Sequence, residues 1–121
     1  LRAWCTSRGR VLLSDLPQPQ LRAFLAGAAI KANTQKSITD RDRLAEIIGK
    51  AAEDGYAVVD EELEMGLRSI AVPIRDQTRK IVAAINISTQ SSRFTPAEMR
   101  REILPALAAA ARSIEDFFVV Q

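Results

Sequence analysis

Two runs of β-forming residues, separated by only four polar residues, set the strongest constraint on the fold. They span residues 68–75 and 80–89, on either side of Asp76-Gln77-Thr78-Arg79, and this pattern predicts an antiparallel hairpin. Residues 56–59, which follow Gly55, predict a further strand. Because the remaining segments carry helical periodicity, we expect an α+β domain in which helices pack on an antiparallel sheet.

Three helices are predicted before the hairpin. The first covers residues 7–16 and stops before Pro17, and the second begins at Pro19 and ends before Asn33. Thr39 is the expected N-cap of the third helix, which ends where Gly55 supplies the stop.

One helix is predicted after the hairpin. It begins with the capping box Thr95-Pro96-Ala97-Glu98. We expect Pro105 to remove one hydrogen bond and to kink the helix near Arg101. The apolar end formed by residues 117–120 predicts packing against missing chain or another subunit.

Composition excludes several classes of function. The 121 residues include one Cys and no His, which rules out an internal disulfide, the usual zinc sites and every Ser-His or Cys-His catalytic pair. The charged residues, whose net charge is +2, alternate in sign along the chain without clustering, which argues against a nucleic-acid-binding surface. We expect a cytoplasmic protein with no membrane partner, metal or cofactor. The absence of an initiator Met at Leu1 suggests a fragment of a longer protein.

The two faces of the predicted hairpin differ in chemistry. A turn centred on Gln77-Thr78 would place Ser69 opposite Asn86, Ala71 opposite Ala84 and Pro73 opposite Val82 on one small and polar face, which Ser88 extends. The other face would be apolar and would pack on helices: Ile70, Val72, Ile74, Ile81, Ala83 and Ile85.

The small and polar face has two interpretations. It can line a pocket for a polar small molecule, or it can be the solvated side of an antiparallel sheet. The strand interiors on this side carry no charged residue, which favours the pocket.

Thr6-Ser7-Arg8-Gly9-Arg10 is a second candidate site. The start of a helix exposes unpaired N–H groups, and Arg8 could add a forked partner for a carboxylate or phosphate. The alternative is a plain Ser7 helix cap with two solvated arginines. The glycines and lysine of a P-loop are absent.

Two further groups also have structural alternatives. Asp60-Glu61-Glu62 and Glu64 could hold a cation or act as acid and base, but such a run is also typical of a solvated connection. Cys5 could be a reactive thiolate or a small buried apolar residue.

Four segments together resemble the effector-binding domain of IclR-type transcriptional regulators. They are Cys5-Thr6-Ser7-Arg8-Gly9-Arg10-Val11-Leu12-Leu13, residues 61–73, Ala83-Ala84-Ile85-Asn86-Ile87-Ser88 and Leu104-Pro105-Ala106-Leu107. Within the family, residues 66–73 together with Asn86 and Ser88 are most similar to the regulators of protocatechuate, 4-hydroxybenzoate and β-ketoadipate catabolism.

The resemblance implies a GAF-like sensor with a curved antiparallel sheet over a small-molecule cavity. Residues 1–121 would form the C-terminal effector-binding domain, incomplete at its N-terminal end, of a regulator whose winged helix-turn-helix lies outside this chain. The implied partners are a small organic acid, DNA through the missing domain, and further copies in a homodimer or homotetramer.

The effector contacts implied for this chain form one set: Thr6, Ser7, Arg8, Asp60, Ser69, Ala71, Asn86 and Ser88. Many relatives have Cys where this chain has Ser69 and Ser where it has Asn86, so contacts can differ in detail. Two alternatives stay open at this point. One is an enzyme that acts on a small acid through Glu61, Glu62 or Cys5, and the other is an oligomerisation module without a ligand.

Overall fold

The computed structural model describes residues 2–119, without the side chains of residues 118 and 119. Its sheet has three antiparallel strands in the order β1 (Ala57–Asp60), β2 (Leu67–Arg75) and β3 (Ile81–Gln90). A 3-10 turn (Ala3–Cys5) and helices α1 (Ser7–Leu13), α2 (Gln18–Gly27) and α3 (Arg41–Asp54) precede the sheet. Helix α4 (Pro96–Glu98), a π-helical turn (Met99–Ile103) and helix α5 (Leu104–Val119) follow it. The α+β class is confirmed.

The apolar face of the hairpin packs on the C-terminal helix, as predicted. Its central strand supplies Ile70, which is fully buried, together with Val72 and Ile74. Helix α5 and the π-helical turn contribute Met99, Leu107 and Ala111 to the same core. One fixed contact ties the helix to the strand, because the Arg75 N–H donates to the Glu115 carboxylate at 2.7 Å.

The opposite face of the sheet packs on α1 and α3 through small side chains. Ala51, Ala57 and Ala71 are buried here beside Val11. Their small size lets the helices approach the strands closely. Beyond this contact lies a helical layer with its own core: Trp4, Cys5, Leu13, Leu21, Leu25, Leu44, Ala45 and Ile48.

Several helix boundaries differ from the prediction. Helix α1 ends at Leu13 rather than at residue 16, and α2 begins at Gln18 rather than at Pro19. The N-cap of α3 is Asp40 rather than Thr39, because the Asp40 carboxylate accepts from the Arg43 N–H at 3.0 Å. Helix α2 ends at Gly27, well before Asn33. Its last carbonyl groups accept hydrogen bonds from the Arg41 side chain, which thereby closes the helix early. Gly55, at φ +80°, ends α3 as predicted.

The hairpin turn is one residue longer than predicted. The Arg79 N–H donates to Asp76 O at 2.9 Å, and the Asp76 N–H donates to Lys80 O at 2.9 Å. Arg79 has φ +70°, the left-handed residue that follows a type I turn in three-residue hairpin loops. The Asp76 carboxylate accepts from the N–H and the hydroxyl of Thr78, which lowers the pKa of Asp76 and fixes the turn.

A β-bulge then adds a second residue to β3. Ile74 pairs with Ala83 but Arg75 pairs with Ile81, which leaves Val82 without a partner in β2 and 58% exposed. The prediction that Val82 faces Pro73 is therefore wrong, since Pro73 pairs with Ala84.

The two insertions displace the predicted pairing by two residues along most of the hairpin. Ser69 pairs with Ser88 instead of Asn86, and Ala71 pairs with Asn86 instead of Ala84. Because side chains alternate with a period of two, these residues stay on the predicted face. Ile81 lies between the turn and the bulge, where the displacement is one residue. It therefore packs on the α1 side rather than with Ile74.

The C-terminal helix begins with the predicted capping box, in which Thr95 and Glu98 cap each other's N–H groups. The predicted disturbance near Arg101 takes the form of the π-helical turn, in which the Leu104 N–H donates to Met99 O. Phe117 is 58% exposed at the end of α5, whereas the other side chains of the apolar end lie outside the described residues.

Gly9 is required by a close approach of two backbone segments. A Cβ atom at this position would lie 2.3 Å from Ala3 O and 2.6 Å from Thr6 Oγ1. We expect Gly9→Ala to lower the free energy of unfolding by about 2–3 kcal/mol, because backbone atoms must shift. Gly27→Ala is the matched control, since a Cβ there meets nothing within 4 Å. Urea unfolding followed by circular dichroism measures both variants, and equal stability of the two would contradict the close-approach argument.

The left-handed turn residue gives a second prediction. Arg79 adopts φ +70°, a conformation that glycine reaches without the steric cost that other residues incur. We expect Arg79→Gly to raise the free energy of unfolding by about 0.5–1 kcal/mol. Lys80→Gly, one residue later and without a positive φ, should lower it. Thermal unfolding of the two variants decides, and a loss of stability in both would show that Arg79 is unstrained.

Candidate functional site

A recess of about 140 Å³ lies between the start of α1 and the polar face of the hairpin. Two walls come from the segments singled out in the sequence: Cys5, Thr6, Ser7 and Arg8 before and within α1, and Ser69, Asn86 and Ser88 on the strands. Val59 of β1 and Leu63 and Leu67 around the β1–β2 turn complete the lining. The recess is smaller than pockets for drug-sized ligands, which suits a small metabolite.

Ser7 contributes a hydroxyl group without a protein partner. The residue is only 2% exposed, and its hydroxyl makes no hydrogen bond to any other described residue. No fully buried side-chain oxygen in the described chain lacks a partner, so this hydroxyl keeps some exposed surface, and Ser7 is one of the residues that line the recess. A nearly buried hydroxyl of this kind can donate to a ligand oxygen.

The cap of α1 is Thr6 rather than Ser7. The Thr6 hydroxyl accepts from the Gly9 N–H at 3.1 Å and keeps its own proton free to donate. Helix α1 has only seven residues, so its dipole is a weak source of positive charge. The main attraction for an anion is therefore the Arg8 guanidinium, which is exposed and has no partner among the described residues.

The strand wall is polar and uncharged. Ser69 and Asn86 are partly buried, and Ser88 lies exposed at the rim. Asn86 Nδ2 donates to Ser88 Oγ at 3.3 Å, which orients the amide along the strand. The three side chains supply both donors and acceptors, so they can bind hydroxyl or carbonyl groups of a ligand.

Two residues of the predicted set do not line the recess. Asp60 lies at the end of β1, and its carboxylate accepts from Arg68 Nε at 2.8 Å in an ion pair. Ala71 is fully buried in the core beneath the hairpin. The structure therefore brings six of the eight predicted residues together: Thr6, Ser7, Arg8, Ser69, Asn86 and Ser88.

The acidic residues after β1 do not converge on one point. Glu61 bonds to Lys36 at 2.8 Å and to the Gly66 N–H, which lowers the pKa of Glu61. Glu62 pairs with Arg10. Within residues 2–119 no three His, Cys, Asp or Glu side chains are grouped so that they could hold a metal ion. In the same part of the chain, no helix has the length and apolarity needed to cross a membrane.

The buried Arg10–Glu62 pair is the feature that sequence reasoning missed. The sequence offered Arg10 as part of an anion-binding or solvated helix start, and Glu62 as part of a cation or acid–base site or a solvated connection. Neither set of alternatives included a buried ion pair, in which the two residues are 1% and 5% exposed. No local pattern marks the pair, because 52 residues separate its members.

Cys5 is a buried residue on the wall of the recess. Burial raises the pKa of its thiol, and the positive charges of Arg2 and Arg10 only partly oppose this effect. A neutral thiol is a poor nucleophile, so the structure favours the buried, apolar interpretation of Cys5 over the reactive one.

Comparisons with known proteins agree with this fold. Residues 1–116 match the family model described as bacterial transcriptional regulator IclR C-terminal. The Pca regulon regulatory protein of Pseudomonas putida is 44% identical over 114 residues, which cover 94% of this chain and 39% of that protein. The chain thus spans less than half the length of this relative.

Solved structures give the same result. The inducer-binding domain of PobR from Acinetobacter, solved as a double mutant with 3-hydroxybenzoic acid, has a TM-score of 0.89 and 30% identity. The match covers 95% of this chain and 66% of that one. The C-terminal domain of KdgR from Escherichia coli has a TM-score of 0.85 and 33% identity, with 94% and 69% of the two chains covered.

These three relatives are transcriptional regulators, which agrees with the prediction of a regulatory domain rather than an enzyme. The α+β fold, the recess and the matched residues lead to one conclusion: the chain belongs to the IclR family of bacterial transcriptional regulators and forms part of their C-terminal, effector-binding domain.

Proposed function

We propose that the recess binds a small organic acid of the aromatic or β-ketoadipate type. The supporting observation is the convergence of the unpartnered Ser7 hydroxyl, the unpaired Arg8 guanidinium and the polar strand wall on one small cavity. A carboxylate needs such groups, because removing it from water without a hydrogen-bonding partner is costly.

The binding mode follows from where the charge lies. The ligand carboxylate sits at the α1 side, where Arg8 neutralises it and Ser7 and Thr6 donate to it. The rest of the ligand extends between Val59, Leu63 and the strands, and its remaining oxygens bond to Ser69, Asn86 and Ser88. Asp60 and Ala71 act indirectly, through Arg68 and through the packing under β2.

The consequence of binding is control of transcription by the longer protein of which this chain is a part. DNA is contacted by a winged helix-turn-helix outside this chain, in a cytoplasmic homodimer or homotetramer. The acid changes transcription only if it prefers one arrangement of the subunits, since equal affinity for both arrangements shifts nothing.

The charge requirement is tested by titration calorimetry on the intact protein. The titrants are protocatechuate, 4-hydroxybenzoate, β-ketoadipate and the neutral analogue 4-hydroxybenzamide. We expect at least one acid to bind and the amide not to bind, because the amide has no charge for Arg8 to neutralise. Absence of heat and of thermal stabilisation with every acid would favour an oligomerisation module without a ligand.

Arg8→Gln should weaken binding of the acid roughly 10- to 100-fold, because it removes a charge-assisted hydrogen bond. Arg93→Gln is the matched control, since Arg93 is exposed and outside the recess. Equal affinity of the Arg8→Gln variant and the parent would show that Arg8 does not contact the carboxylate of the acid, which would contradict the proposed binding mode.

Ser7→Ala separates binding from stability. Because the Ser7 hydroxyl has no protein partner, we expect the unfolding midpoint to stay unchanged while affinity for the acid falls roughly 3- to 10-fold. Ser14→Ala should do the reverse, since the Ser14 hydroxyl donates to Val11 O at 2.6 Å and does not line the recess. Calorimetry and thermal unfolding of both variants decide, and a Ser7→Ala protein that loses stability but keeps its affinity would contradict the assignment.

A further inference from the structure

We propose that Arg10 and Glu62 are positioning residues: their buried ion pair clamps the α1 wall of the recess to the β1–β2 turn and thereby sets the affinity of the recess for the acid. The effect on affinity rests on the proposed function, whereas the clamp itself does not. Neither residue lines the recess, so the pair acts through the segments that it joins.

The geometry of the pair is forked and dry. Arg10 Nη2 donates to Glu62 Oε1 at 2.6 Å, and Arg10 Nη1 donates to Glu62 Oε2 at 3.0 Å. Side-chain exposure is 1% for the arginine and 6% for the glutamate. Two parallel hydrogen bonds fix the relative orientation of the two side chains as well as their distance, which a single contact would not do.

Each member of the pair sits next to a wall of the recess. Arg10 lies on α1, two residues after Arg8, and its Nε donates to Trp4 O at 2.8 Å, immediately before Cys5. Glu62 directly precedes Leu63, which lines the recess from the β1–β2 turn. Through its three donated hydrogen bonds, Arg10 therefore joins the 3-10 turn and α1 to the acidic turn, which is the connection between β1 and β2 (residues 61–66).

The acidic turn is itself held from behind. The Thr34 hydroxyl donates to Glu61 O at 2.6 Å, and the Ser37 hydroxyl donates to Glu62 O at 2.8 Å. Lys36 bonds to the Glu61 carboxylate at 2.8 Å. These contacts fix the turn on the segment that leads into α3, and the bridge between Glu62 and Arg10 joins that unit to α1.

Stability alone does not account for such a pair. A buried ion pair contributes little more than apolar side chains of the same volume would, because both charges must be desolvated. Removing one partner, in contrast, leaves a buried charge that draws in water and separates the walls. The pair thus makes the width of the recess sensitive to a contact that the ligand never touches.

The test uses Glu62→Gln in the intact protein and follows the reactivity of Cys5. Cys5 lines the recess but is fully buried, so iodoacetamide reaches it only when the wall opens. Peptide mass spectrometry reads the labelling rate at this residue. Glu64→Gln is the matched control, since it makes the same chemical change on an exposed side chain of the same turn.

The clamp predicts that Glu62→Gln labels Cys5 at least roughly tenfold faster than the parent, whereas Glu64→Gln labels at the parental rate. The faster rate should not change with urea below the unfolding transition, because the opening is local. The clamp would be overturned if Glu62→Gln labelled Cys5 at the parental rate. It would also be overturned if the labelling rate rose with urea in the way that global unfolding does. Arg10→Lys separates opening from electrostatics, because loss of the Glu62 carboxylate also lowers the pKa of the Cys5 thiol, whereas lysine keeps both charges of the pair but not the fork. We expect Arg10→Lys to label faster as well, and a parental rate in this variant would overturn the clamp.

The effect on affinity is measured by calorimetric titration of the same variants with the acid that the parent binds. We expect Kd to rise roughly tenfold for Glu62→Gln and to stay unchanged for Glu64→Gln. If Glu62→Gln binds the acid as tightly as the parent, the ion pair does not set the affinity, while the proposed function stands. If the parent binds none of the acids, the proposed function and the effect on affinity both fail. The labelling rates of Cys5 then still test whether the ion pair acts as a clamp.

Discussion

The close approach of α1 to the sheet is the constraint on which the rest of the structure depends. It needs small side chains on the strands, which Ala57 and Ala71 provide. Gly9 serves a second close approach, that of α1 to the 3-10 turn, because a Cβ there would meet the carbonyl oxygen of Ala3 at 2.3 Å. The recess begins where this packed contact ends, so its depth is set by the same residues that build the core.

The sequence predicted which face of the hairpin each side chain takes better than it predicted which residues pair, for a physical reason. The alternation of polar and apolar residues fixes which face a side chain takes, since the period of a strand is two. It does not fix the register, which depends on the turn and on bulges. Arg79 takes a left-handed conformation that glycine usually marks, and Val82 is an unpaired residue in an unbroken β-forming run. Neither departure has a local signal, and Ile81 changed faces because it lies between them.

The candidate site divides along the same line. Ser7, Arg8, Ser69 and Asn86 could be assigned from the sequence because each lies in a segment whose own chemistry suggests a ligand, and the family resemblance implied the same positions. Asp60 could not be placed, because its carboxylate belongs to Arg68, and pairing between side chains depends on three-dimensional position. Arg10 and Glu62 show the limit most clearly. Charged residues are seldom buried unless paired, so without knowledge of the partner there was no reason to expect either residue in the interior.

A recess with polar walls carries a cost that its surroundings must offset. Ser7 is 2% exposed and its hydroxyl has no partner among the described residues, so it contributes no hydrogen bond that holds α1 in place. The helix is held instead by contacts that do not involve the Ser7 hydroxyl. The Thr6 hydroxyl caps its first turn, Arg10 ties it to the acidic turn, and Asp15, just after its end, accepts from the Ile81 N–H at 2.9 Å. Because these contacts leave Ser7 and Arg8 free, the groups suited to a ligand are the ones that the fold does not use. Binding can therefore add hydrogen bonds without breaking any that the protein already has, and this is the condition under which a small ligand obtains useful affinity from few contacts.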